Sequence, residues 1–511
     1  MFSSSQCLSV AAFALIASVT ACMPPASASS GRFAIPDVST GNRPPALDAI
    51  DTARLRRDLF TMASDGMRGR EAGTLDELRA STWVAERARA AGLQPAGDDG
   101  TYFQFWPMRR IRPADNSHAA LDGSPLILWR DAAVVSPVDV ILDLPMVWAG
   151  NATGDALERL DLRGKAVAAM VLPPSNAPVS WVSLRAWRYT RVAIAERVAA
   201  LTKAGAAAIV LVADDSTNDQ FGAISVQMRR GNYNIDTTGA DKIPVRVPVL
   251  WLPATLQARA SAAKRLSLDL RAESFVYPSV NVVAKVTGTD SRVRDEYVLF
   301  SGHNDHDGVR YSVDGDSIWN GADDNASVSV AMLAIGRAFV EHPARRSALF
   351  VWHGAEERGL LGSRWFVSHP TVPLSAIVAV LNGDMIGRNN ADSAALLGSQ
   401  PPHRNSSALV QMALNANDNV SKFVIDSTWD RASHPENWYF RSDHLPYARA
   451  GVPAIFFTTL LHPDYHTPRD EASRIDIPKL ARMTRWIYTT GWEVANAVER
   501  PALDKGFKLE R

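Results

Sequence analysis

Five short segments after residue 300 place acids and imidazoles where apolar runs end. They are Ser301-Gly302-His303-Asn304-Asp305-His306, Gly321-Ala322-Asp323-Asp324-Asn325-Ala326-Ser327, Phe350-Val351-Trp352-His353-Gly354-Ala355-Glu356-Glu357, Leu381-Asn382-Gly383-Asp384-Met385 and His462-Pro463-Asp464-Tyr465-His466-Thr467-Pro468. All but one of the 11 histidines, His118, lie after residue 300. In open α/β sheets, sites form at the carboxyl ends of strands. His303 leaves its strand where the ring can enter that crevice, and Asp305 can orient it by accepting its second N–H. Asp323-Asp324 precedes a helix, where a carboxylate meets the positive end of the dipole. Simple N-capping explains one acid there but not its neighbour. Glu356-Glu357 repel each other unless water or a metal compensates; one can bind a metal while the other acts as base on water. A His, Asp, Glu, Asp, His set without Cys suits Zn²⁺, with Mn²⁺ or Co²⁺ as alternatives. Five groups exceed one zinc site but fit two metals about 3.5–4 Å apart sharing a carboxylate.

The elements that must hold these residues are legible in the periodicity. From Val280 the pattern is strand–loop–helix, repeatedly. Strands are expected over Tyr297 to Ser301, Ser347 to Trp352, Ile377 to Leu381 and Ala454 to Thr458. Helices are expected over Ala326 to Val340, with Val328, Met332, Ile335 and Phe339 on one face, and over Ile477 to Val498. Such alternation predicts an α/β fold, a mostly parallel mixed sheet flanked by helices. Leu47 to Gly92 reads as helical, and Phe103 to Leu128 as short strands. Between about Pro137 and Glu273 the apolar runs Lys165 to Leu172, Ala206 to Val212 and Val245 to Leu252, with a helix over Val192 to Gly205, suggest a small α/β module. It holds no His.

The 511 residues call for more than one core. Lys+Arg and Asp+Glu both number 54, a balance that argues against a nucleic-acid partner. Cys7 and Cys22 are the only cysteines, which excludes a disulfide framework and a Cys-ligated metal. The apolar run Cys7 to Val19 is shorter than the roughly 20 residues of a spanning helix and has the length of a signal-peptide core. It ends in Val19-Thr20-Ala21-Cys22, which resembles the bacterial lipoprotein box; Ala26-Ser27-Ala28 offers ordinary cleavage instead. The resulting division is a signal peptide over 1–28 (or cleavage before 22), a tether over 29–46, an N-terminal part of the catalytic domain over 47–136, an insert over 137–273 and the catalytic domain over 274–511. The expected location is exported: periplasmic, outer-membrane lipoprotein or secreted. A lipid on Cys22 is the one membrane link expected, and the oligomeric state is left open.

Taken together, the five segments, with Ser442-Asp443-His444-Leu445-Pro446-Tyr447-Ala448-Arg449-Ala450-Gly451-Val452-Pro453-Ala454 and the Gly359-Leu360-Leu361-Gly362-Ser363 that follows Glu357, resemble the di-zinc exopeptidase family of secreted bacterial leucyl aminopeptidases, glutamate carboxypeptidase and glutaminyl cyclases. The resemblance covers about Asp48 to Ser136 and Val280 to Val498; the middle segment resembles the protease-associated domain often inserted in that family. It implies two Zn²⁺ per chain, with Asp323 bridging, His303 and Asp384 completing one zinc, and Glu357 and His466 the other. It further implies Glu356 as general base, Asp305 as the partner of His303, Tyr465 as an oxyanion donor, and a cis peptide at Asp323-Asp324. The implied activity is hydrolysis of N-terminal peptide bonds through a di-zinc-bridged water. A carboxypeptidase or dipeptidase is the alternative, followed by a glutaminyl cyclase or a non-catalytic binding protein. Blander readings go to His306 (outside the site), His353 (a strand residue facing a helix), His444 and His462 (structural or pocket-lining) and Arg388 (a surface cation).

Overall fold

The computed structural model describes residues 43–175, 185–237, 243 and 245–509, and residues 43–511 form one compact unit. The signal-peptide and lipidation readings at Cys7, Cys22 and Ala28 lie outside the described residues. Among the described residues, no helix is long and apolar enough to cross a membrane.

Four parallel strands occupy the centre of the main sheet, in the order Ala454–Thr458, Ile377–Gly383, Tyr297–His303 and Ser347–His353. Every residue of the last three is buried. Alternate side chains point to opposite faces: Val298 and Phe300 join the core under the helices Ser327–Glu341 and Ile477–Asn496, whereas Tyr297 and Leu299 join a second core containing Phe366 and Tyr447. Helices therefore cover both faces, and the parallel strands read as continuous apolar runs. Phe300 stacks on Phe350 at 5.0 Å between ring centres. Antiparallel strands flank this centre: Ser393–Leu397 beside Ala454–Thr458 on one side, and on the other Ala272–Val286 beside Ser347–His353 with the long Phe103–Pro113 beside Ala272–Val286. The fold is thus a mixed α/β sheet, as expected.

Sequence sets the helix starts locally. Asp51 accepts from the Ala53 and Arg54 N–H groups to begin Thr52–Met62, Thr74 caps Leu75–Ala90, and Asp476 caps Ile477–Asn496 with Pro478 in the first turn. The helical stretch read from Leu47 to Gly92 is two helices separated by a 3₁₀ turn over Asp65–Arg70.

Among the described residues, a second sheet has eight strands. It includes His118–Leu121, Ser124–Leu126 and Ala133–Val134, so this module starts well before residue 137. Its parallel core is Val140–Gly150, Ala166–Met170, Ala208–Val212 and Val249–Leu252. One strand from the same stretch, Asn232–Ile235, instead pairs with Phe103–Pro113 in the main sheet.

Candidate metal centre

The parallel strands end together: His303 lies in register with His353, and Asp384 follows the end of Ile377–Gly383 beside them. Two clusters of side chains meet there. One groups His303, Glu356 and Asp384; the other groups His306, Asp324, Glu357 and His466. His303 Nε2 is 3.2 Å from Asp324 Oδ1, 3.7 Å from Asp384 and 3.9 Å from Glu356. His466 Nε2 is 3.1 Å from Asp324 Oδ2 and 3.2 Å from Glu357. The two oxygens of Asp324 thus face one imidazole each and link the clusters.

Asp323, the expected bridge, is turned away. Its Oδ1 accepts the Gly387 N–H at 2.6 Å, and its Oδ2 faces His462 at 3.5 Å. The reason is local: the Asp470 carboxylate accepts the N–H groups of both Asp323 and Asp324, and the Ser327 hydroxyl donates to the Asp323 carbonyl. That pinning fixes the loop so that the second aspartate enters the crevice. The cis peptide likewise lies one residue later than expected, at Asp324-Asn325.

Asp305 sits behind the cluster. The His303 Nδ1 is 3.1 Å from the Asp305 backbone carbonyl and 3.7 Å from its carboxylate. The Asp305 carboxylate instead accepts the N–H groups of Glu356 at 3.0 Å and Glu357 at 3.3 Å. It therefore fixes the turn that presents both glutamates. Burial pushes Asp305 up to about 6. Tyr465 accepts a hydrogen bond from Arg441 at 3.0 Å, and its ring lies against His466. Burial raises its phenol well above the ordinary value, so it is protonated at neutral pH.

His306 belongs inside the site, against its blander reading: it is fully buried, with Nδ1 2.8 Å from Glu357. Gly321 makes room for it, because a Cβ there would lie 2.4 Å from His306 Cγ and 2.2 Å from the Asp324 carbonyl. Arg388 is not a surface cation; it pairs with Asp464 at 2.6 Å and is 14% exposed. His353 is buried with Tyr447 at 3.2 Å, and burial lowers it to about 3. Sequence reasoning missed Arg70. Its fully buried guanidinium donates to the carbonyls of Asn304, Met62, Asn320 and Gly321, tying the His303 loop to the Asp324 loop.

The donor set suits cations. His306 Nε2 is buried without a hydrogen-bond partner, and His303 Nε2, His306 Nδ1 and Glu357 Oε1 face only other groups of the site, a costly condition unless something binds them. Burial, reinforced by neighbouring carboxylates, holds Glu356 and Asp384 above their usual range. Burial pulls His466 down, but Glu357 and Asp307 outweigh it and carry the ring up to about 10. All of this marks a region short of positive charge, and imidazole with carboxylate donors fits zinc.

The chain is similar to known proteins in sequence over part of its length and in fold over most of it. Residues 281–490 match the model of peptidase family M28. Over 264 residues the chain is 25% identical to a probable leucine aminopeptidase of Arthroderma benhamiae, covering 48% of this chain and 66% of that protein. Over 196 residues it is 26% identical to aminopeptidase YwaD of Bacillus subtilis, covering 35% of this chain and 39% of that protein. The chain thus spans less than two thirds of the length of these curated relatives. Among solved structures, a zinc aminopeptidase from Bacillus subtilis superposes with a TM-score of 0.56 at 16% identity, covering 90% of this chain and 99% of that one. An aminopeptidase from Aneurinibacillus sp. strain AM-1 gives 0.55 at 17% identity, covering 89% and 98%. At such identity the superpositions speak for the fold. The match to the M28 peptidase model is thus confined to residues 281–490, and both clusters of His and acid side chains lie inside it.

Proposed function

We propose that the protein is an exported zinc-dependent aminopeptidase that removes N-terminal residues from peptides. The observation that carries this reading is the pair of His–carboxylate clusters joined through Asp324 within an M28 domain. The relatives named as aminopeptidases support it. On this reading His303, Asp324 and Asp384 would hold one Zn²⁺, and Asp324, Glu357 and His466 a second. A divalent metal bound there would supply Lewis-acid polarisation of the scissile carbonyl. Glu356, 3.9 Å from His303 Nε2, accepts the proton of the attacking water and returns it to the leaving amine. Asp305 keeps the Glu356–Glu357 turn in place through two N–H bonds. The Tyr465 hydroxyl is the side-chain donor for the developing oxyanion. The carboxylates of the site attract the substrate's ammonium group.

The test combines elemental analysis with a panel of aminoacyl chromogenic substrates and blocked peptides, assayed with and without chelator. About two zinc ions per chain and activity lost to chelator, then restored by Zn²⁺ or Co²⁺, are expected. Metal-free protein with full activity in chelator refutes the reading, and cleavage of N-blocked peptides from their carboxyl end favours a carboxypeptidase. Export follows from the Cys7 to Val19 run and is read by mass spectrometry of the mature N-terminus. A lipidated Cys22 supports the anchor, a start near Ser29 supports export alone, and a cytoplasmic chain beginning at Met1 rejects both.

A further inference from the structure

Glu357, Tyr465 and His466 open onto a cleft whose other wall comes from the second module, where Trp187, Arg188 and Arg191 project from helix Arg185–Lys203. The catalytic side contributes Arg310, Arg358 and Arg441. Arg310 pairs with Asp307, which also takes Arg358 at 3.3 Å; Arg358 lies 3.6 Å from Glu71 as well. Arg188 and Arg441 share one carboxylate, Glu436, the latter at 3.1 Å. Arg191 stacks over the Trp187 ring at 4.7 Å and has no acidic partner among the described residues. Four of these guanidiniums share Asp307, Glu71 and Glu436, and Arg191 adds a fifth, so five cations face those three acids and Glu357 at the inner end. Arg230, 3.3 Å from Glu71, adds to these cations. Arg188 also keeps a buried NH2 group without a hydrogen-bond partner, a condition relieved by an acceptor brought in from outside.

A guanidinium is built for planar, bidentate carboxylate recognition. An N-terminal ammonium is repelled by this wall and drawn to the acidic side of the site. Resting on the aminopeptidase reading, we infer that the cleft binds a carboxylate on the leaving part of the substrate, which makes the enzyme selective for short or acidic peptides. The shared chemistry is a carboxylate, supplied either by the free C-terminus of a di- or tripeptide or by an acidic side chain.

The zinc-loaded protein is assayed on two matched pairs: Leu-Gly-Gly against its C-terminal amide, and Leu-Glu-amide against Leu-Gln-amide. A kcat/KM preference of about tenfold or more for the carboxylate is expected in at least one pair, and which pair shows it identifies the source. The preference should weaken with added salt and fall in Arg191→Gln, an exposed position with no ion pair to lose. Equal rates within both pairs, or a preference untouched by Arg191→Gln and Arg188→Gln, overturn the inference. If no peptide is cleaved, the aminopeptidase reading fails on its own. The cleft is then judged by calorimetric binding of N-acetyl-Gly-Glu against N-acetyl-Gly-Gln-amide. Tighter binding of the acid that Arg191→Gln removes supports the cleft, and equal binding overturns it.

Discussion

Glu356 and Glu357 are neighbours in the chain but face different partners, Glu356 toward His303 and Glu357 toward His306 and His466. Substitution should separate them. Glu356→Gln keeps shape and removes the proposed base, so turnover should fall about 10²–10⁴-fold with metal content unchanged. Glu357→Gln replaces an anionic ligand by a neutral one, so metal content should fall toward one ion per chain and activity should recover partly in excess zinc. Loss of metal from Glu356→Gln alone would mean that the roles are exchanged. The same readout decides between the two adjacent aspartates. Asp324→Asn should deplete both metals, because its oxygens face His303 and His466, whereas Asp323→Asn should keep them. If Asp323→Asn is the variant that loses metal, the loop is shifted by one residue from the geometry described.

At the scale of elements, the crevice is held by loops that the strands leave behind, and Arg70 is the tie between two of them. Its guanidinium reaches four backbone carbonyls in full burial. Burial lowers it to about 10, with Asp305 and Asp324 nearby holding the charge. Each buried polar group left unpaired costs about 1–3 kcal/mol. Arg70→Met should therefore lose at least about 3 kcal/mol in denaturant unfolding and weaken metal retention, and Arg70→Lys should rescue little, since an ammonium cannot span the four acceptors. A loss below about 1 kcal/mol would show that the loops are held otherwise. The strands were legible because buried parallel strands are apolar runs ending in site residues: Tyr297, Ser347, Ile377 and Ala454 are the expected and observed starts. The register of Asp323-Asp324 was not legible, because it depends on Asp470, some 146 residues away. Arg70 was hidden for the same reason, since its acceptors at Asn320 and Gly321 lie 250 residues on. His306 looked ordinary because its approach to Glu357 needs the turn at Gly321.

On the scale of the whole molecule, the stretch holding the second module leaves the main sheet and finally returns to it at adjacent positions. Pro113 is the antiparallel partner of Ala272, and Ala114 donates to the Arg271 carbonyl at 2.8 Å. The eight-stranded sheet lies wholly between those positions, and none of the clustered His and acid side chains comes from it. Residues 114–271 can therefore be replaced by a two-residue Asn-Gly turn, which suits a hairpin between paired strands. The excised stretch also carries Asn232–Ile235 and the Arg230 contacts to the Asp307 and Val309 carbonyls, so Phe103–Pro113 becomes an edge strand. One added lysine on that edge guards against pairing between copies. The shortened chain should fold, keep the full metal content and lose the wall formed by Arg188 and Arg191. Long peptides should then gain relative to short ones. Metal content and circular dichroism are read on the same sample. A folded product without metal would show that the module supports the site directly, and unchanged peptide preference would show that it does not shape access.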